Sequence, residues 1–132
     1  MKRTITCPAA RGLACFAAFA ISIGLGCVRR NDVQVRVVYE NGAGAKPVEN
    51  FTVFVGGSKS WWATISPGES VSVVLPPEGE PPQVSAIYTA GGNKRDWKGP
   101  SLPAGAGYAV ELRLAPNGTV SERHCTRPCS MP

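Results

Sequence analysis

An all-β domain is predicted, a small antiparallel β-sandwich or barrel of about six or seven strands. Three observations carry that prediction. Apolar and polar residues alternate with a period of two through nearly all of the chain beyond Asn31, the mark of half-buried strands. Glycine, proline and Asn-Gly clusters interrupt the alternation at roughly 8–12-residue spacing. Nothing beyond Cys27 repeats apolar residues at helical spacing, so no long helix is expected there.

The strands follow in order. Val33, Val35, Val37 and Tyr39 alternate with Gln34, Arg36 and Val38, and Asn41-Gly42 ends the run. Phe51, Val53 and Val55 alternate with Thr52 and Phe54 up to Gly56-Gly57. Trp61 to Ile65 is a short strand closed by Ser66-Pro67-Gly68. Val71, Val73 and Leu75 precede the stiff segment Pro76 to Pro82, read as a spacer between strands. Val84, Ala86 and Tyr88 alternate with Ser85 and Ile87 before Gly91-Gly92. Tyr108, Val110, Leu112 and Leu114 form the last long strand. Pro116-Asn117-Gly118 then turns the chain into Thr119 to Arg123, with Asn-Gly favouring positive φ at both turn centres.

The N-terminal segment has a different character. Lys2, Arg3 and Arg11 precede an apolar run from Leu13 to Leu25, followed by Gly26 and Cys27. A basic start, a short apolar middle and small residues before a cut describe an export signal, and the run is short of the ~20 residues that span a bilayer. With cysteine directly after the small residue, the segment resembles a bacterial lipoprotein precursor. The resemblance implies cleavage after Gly26 and lipidation of Cys27. It departs from the pattern at Gly24, where leucine is usual, and Ala18-Phe19-Ala20 and Gly24-Leu25-Gly26 also fit plain secretion. Val28, in place of an inner-membrane retention aspartate, implies an outer-membrane anchor with the domain in the periplasm. The expected organisation is a helical signal peptide (1–26), a membrane-proximal linker (27–31), the sandwich (32–124) and a disulfide-closed tail (125–132).

The full chain carries 14 basic and 9 acidic residues. Three of the basic ones leave with the signal, so 11 face 9 in the mature domain, and no basic stripe interleaved with aromatics argues for nucleic acid. Of five cysteines, Cys7 and Cys15 fall in the signal and Cys27 takes the lipid. Cys125 and Cys129 remain, and an isolated pair in an exported chain reads as a disulfide. His124, the single histidine, adds too few ligands for a zinc site, so no metal and no cofactor are expected. The carboxylates are scattered singly, with no acid/base pair, nucleophile elbow or phosphate loop, which argues against an enzyme.

The aromatics are the functional lead. Trp61 and Trp62 are adjacent, so a strand sends them to opposite faces and only one can enter a core. Lys59 precedes them, and Lys94, Arg95, Trp97 and Lys98 repeat the pairing of tryptophan with cations after a second Gly-Gly break. These seven residues are expected to form one binding surface. Two functions follow from this. One is a lipid-anchored protein-interaction module, an envelope accessory or an immunity (inhibitor) lipoprotein, which the chain resembles in size, anchor and layout. The alternative is a glycan- or peptidoglycan-binding module that stacks its tryptophans on sugar rings. A flat row of exposed rings favours glycan, and a polar rim around an apolar patch favours protein.

Overall fold

A computed structural model describes residues 29–78 and 81–129, so Cys27 and the signal lie outside the described residues. The eight strands are β1 (Val33–Tyr39), β2 (Val48–Val55), β3 (Ser58–Ile65), β4 (Ser70–Leu75), β5 (Gln83–Ala90), β6 (Asn93–Ser101), β7 (Tyr108–Leu114) and β8 (Val120–Thr126). They form two four-stranded sheets, sheet A in the order β4-β1-β7-β8 and sheet B in the order β3-β2-β5-β6. The domain is a β-sandwich, with no helix among the described residues.

Period-two alternation explains the core directly. Val33, Val35, Val37 and Tyr39 of β1 and Val110, Leu112 and Leu114 of β7 fill it from sheet A. Phe51, Val53 and Val55 of β2 and Val84, Ala86 and Tyr88 of β5 fill it from sheet B. Each fully buried Val, Leu or Phe contributes on the order of 1.5–3 kcal/mol, and nearly all come from the four inner strands. Phe51 anchors the aromatic part, stacked on Tyr88 at 5.5 Å and tilted against Trp62 at 6.3 Å. Between Val48 and Phe51, both buried, β2 carries one extra residue relative to β5. Asn50 absorbs it in the left-handed region, at φ 51°.

Four features differ from the sequence expectation. There are eight strands rather than six or seven, because Lys94–Lys98, not assigned to a strand from the sequence, belongs to β6. β6 is an edge strand that turns only alternate residues inward, and its charged and Gly-Pro content hides it. The sheets are not wholly antiparallel, since β1 runs parallel to β7 after the chain has crossed to sheet B and back. The two-residue turn with positive φ at both centres is Gly91-Gly92, at 58° and 78°, and not Asn117-Gly118. In the β7–β8 hairpin Pro116 and Asn117 occupy the turn proper and only Gly118 is left-handed, at φ 82°. Finally, β8 continues through Thr126, so Cys125 is a strand residue and only Cys129 lies in the tail. Cys125 and Cys129 are disulfide-bonded.

The Pro76–Pro82 segment does more than space two strands. Gly57 N–H donates to the Glu78 carbonyl at 3.0 Å, and a Cβ on Gly56, which has φ 60°, would collide with that carbonyl. The β2–β3 turn and this connection are therefore locked together by a close backbone approach that only glycine permits.

Candidate functional site

Register decides which of the expected site residues share a face. In sheet B the inward residues Val53 and Ala86 pair with each other and with Ser60 and Trp97 across the sheet. The outward rows alternate with them. One row runs Trp61, Thr52, Ile87, Asp96, and the next runs Lys59, Phe54, Ser85, Lys98. Thr89 pairs with Lys94 in a third. Neighbouring strands stand ~4.8 Å apart and alternate residues ~7 Å apart along a strand, so the first two rows make a continuous patch.

Of the seven residues, four therefore share the outer face of sheet B: Lys59, Trp61, Lys94 and Lys98. Trp61 is 58% exposed, the most exposed large hydrophobic side chain among the described residues. It sits at the β3 edge, with half-buried Phe54 and Ile87 beside it in the middle of the sheet. Lys59 and Lys98 end the second row at opposite edges. The arrangement is a shallow apolar strip with Lys59, Lys94 and Lys98 around it and two acidic residues, Asp96 and Glu49, on the same face.

The other three point the opposite way. Trp62 turns inward against Phe51 and packs on the core from the β3 edge. Trp97 does the same from the β6 edge, three strands away, and its indole lies over Gly99, where a Cβ would collide with the ring. Arg95 reaches across the open end of the sandwich, and its Nη1 donates to the Asn117 carbonyl at 3.4 Å. Tyr88 Oη donates to the Gly118 carbonyl beside it at 2.7 Å. Burial raises the Tyr88 phenol above its ordinary range, against the opposing pull of Arg95. Arg95 and Tyr88 thus clasp the β7–β8 hairpin of sheet A to sheet B, and the two tryptophans close the side openings. The single seven-residue surface is therefore split by strand alternation into an outer strip and two edge seals.

Phe54 and Ile87 were not among the expected site residues. Their signal lay in the alternation itself, since both are apolar at positions whose parity assigns them to solvent.

At the end of the sandwich where the chain enters from Cys27, a cleft of about 480 Å³ is lined by Arg29, Arg30, Asp32, Pro76, Pro82 and Pro103 among others. Some of its polar groups are engaged locally. Asp32 Oδ2 accepts from the Arg29 N–H at 2.7 Å, and Arg127 Nη2, from within the disulfide loop, donates to the Asp32 and Arg29 carbonyls at 2.6 and 3.0 Å. His124 Nδ1 lies 2.6 Å from Glu122 Oε1, with its ring edge-on to Tyr108. Among the described residues no three His, Cys, Asp or Glu side chains converge as a metal site.

No protein-family model and no curated protein matches the chain. Partial likenesses occur among solved structures. A protein from Eubacterium rectale is 17% identical, with a TM-score of 0.48 over 70% of this chain and 87% of its own. A Bacteroides ovatus protein proposed to act in cell adhesion is 13% identical, with a TM-score of 0.44 over 71% of this chain and 43% of its own. Pneumolysin is 9% identical, with a TM-score of 0.40 over 74% of this chain and 24% of its own.

Proposed function

We propose that this chain is a lipid-anchored periplasmic protein-interaction module, an envelope accessory or an immunity-type inhibitor, and that the outer face of sheet B is its docking surface. The observation that carries the reading is Trp61, 58% exposed on a flat sheet face with Phe54 and Ile87 beside it and Lys59 and Lys98 around it. An exposed tryptophan joined to a half-buried apolar strip and a charged, lysine-bearing rim has the composition of a protein hot spot. A sugar-stacking platform wants rings side by side, and Trp62 and Trp97 face inward. The anchor rests on sequence alone: the basic start, the apolar run Leu13–Leu25, Gly26 and then Cys27.

Photo-crosslinking from position 59 of the protein in intact cells, with the captured species identified, tests the docking face. A discrete envelope or toxin protein is expected, and its affinity for the purified Trp61→Ala variant should fall by about 2 kcal/mol, roughly thirtyfold. Capture of peptidoglycan fragments instead would replace the protein reading with the glycan one. Loss of fatty-acid labelling and of membrane association in Cys27→Ser is the corresponding check of the anchor, and label retained in that variant would reject it.

A further inference from the structure

The opposite face of the molecule is built for different chemistry. Two adjacent cross-strand rows on the outside of sheet A run Ser72, Arg36, Glu111, Arg123 and Ser70, Val38, Arg113, Ser121. Glu111 is only 2% exposed although it belongs to the outward face. It owes that burial to the arginines laid over it. Arg113 Nε and Arg123 Nη2 both donate to its Oε1 at 2.7 Å. Each guanidinium carries five N–H donors in a rigid fork. One nitrogen of each is committed to Glu111, and Arg113 Nη1 lies a loose 3.7 Å from Glu40. The remaining donors border a depression lined by Glu111, Arg113, Ser121 and Arg123. The outward strand positions of this sheet hold three arginines and one glutamate, and with Glu40 beside Arg113 the face still keeps an excess of positive charge beside serine hydroxyls.

We propose that the outer face of sheet A is a second docking surface, which takes an acidic segment of a protein partner, with Arg113 and Arg123 as a carboxylate clamp held in place by Glu111. Charge complementarity selects a carboxylate-bearing partner. The two guanidiniums converge on one Glu111 oxygen, so they offer their remaining donors as a single cluster to an incoming carboxylate. Glu111 is a positioning residue: it spends its own charge to fix two forks that would otherwise sample many rotamers. The surface is independent of Trp61 and lies on the other sheet.

The test titrates a short oligoglutamate peptide into the full-length protein at low ionic strength, with inorganic phosphate and anionic lipid vesicles as parallel probes. Saturable, salt-sensitive peptide binding is expected, weakened at least about tenfold by Arg113→Gln or Arg123→Gln. Two further variants separate a built site from diffuse attraction. Glu111→Gln raises the positive charge, so simple attraction would strengthen binding, whereas loss of the positioned forks weakens it. Arg123→Lys keeps the charge and removes the fork, and it too should bind more weakly. Absence of peptide binding, equal or tighter binding by both of these variants, or stronger binding of phosphate or vesicles than of the peptide would each overturn the proposal.

Discussion

The two sheets are alike on the inside and unlike on the outside. Inward, each presents rows of valines with larger aliphatic and aromatic residues to one core. Outward, sheet A carries Arg36, Arg113 and Arg123 around a covered glutamate, while sheet B carries Trp61, Phe54 and Ile87 between lysines. Inner residues are under a common packing constraint, so any two sheets of a sandwich converge on similar side chains. Outer positions are free of it. The contrast between a polar, hydrogen-bonded face and an apolar, ring-bearing one is therefore where function is to be sought.

The comparison between inside and outside can be broken most severely at Phe51. It is fully buried and in contact with both Tyr88 and Trp62. Phe51→Ala should cost about 3–5 kcal/mol in denaturant unfolding, as cavity-forming aromatic truncations do. A loss below about 1 kcal/mol would mean that sheet B packs loosely on its partner. Next in size is the disulfide at the edge of sheet A. Its closed loop is short, so Cys125→Ser with Cys129→Ser should cost about 2 kcal/mol or less and leave a cooperative unfolding transition. Global unfolding of the double variant would show that the tail, with Arg127 bonded to the Asp32 carbonyl, holds the whole fold.

A smaller effect distinguishes the two outer faces by pH. The hydrogen bonds from Arg123 and then Arg113 hold the Glu111 carboxyl below its ordinary value of 4.5. A depressed folded-state value stabilises the protein fully above pH 4.5 and loses that contribution as the pH falls toward the lowered value. Glu111→Gln should therefore cost about 1 kcal/mol at neutral pH, and the gap to the parent should shrink in acid. Parallel stability-versus-pH curves would contradict the pairing. The smallest stability effect is expected at Trp61. Its truncation to alanine should change unfolding free energy by less than about 0.5 kcal/mol, since its ring is mostly in solvent.

How much of this was legible in the sequence depended on parity and on where a strand lies in its sheet. Five strands, β1, β2, β4, β5 and β7, announced themselves because their inward residues are apolar, as in Val33, Val35, Val37 and Tyr39. β3 and β8, which turn Ser58, Ser60, Glu122 and His124 inward, were marked by their flanking turns. β6 did not announce itself, since of its inward residues only Trp97 is large and apolar and the rest of the strand reads as polar turn sequence. A two-residue Gly-Gly turn after a strand was the available clue. Alternation required Trp61 and Trp62 to part, but which one enters the core is fixed by the pairing of Trp62 with Phe51 and of Trp61 with Thr52, a long-range register that one chain segment does not encode. The same blindness joined Arg95 and Trp97 to the site, although both point inward at the far edge. The covered state of Glu111 was equally hidden, because it arises from arginines on two strands meeting over one carboxylate.

The most direct measurement compares the two exposed large hydrophobic residues among the described ones, one on each sheet: Trp61 on sheet B, 58% exposed, and Val74 on sheet A, 40% exposed. Affinity for the cross-linked partner is measured for Trp61→Ala and Val74→Ala in parallel. With the docking surface on sheet B, Trp61→Ala weakens binding by roughly thirtyfold while Val74→Ala leaves it unchanged. Unaltered binding by Trp61→Ala, or an equal loss in both variants, would contradict a docking site centred on Trp61.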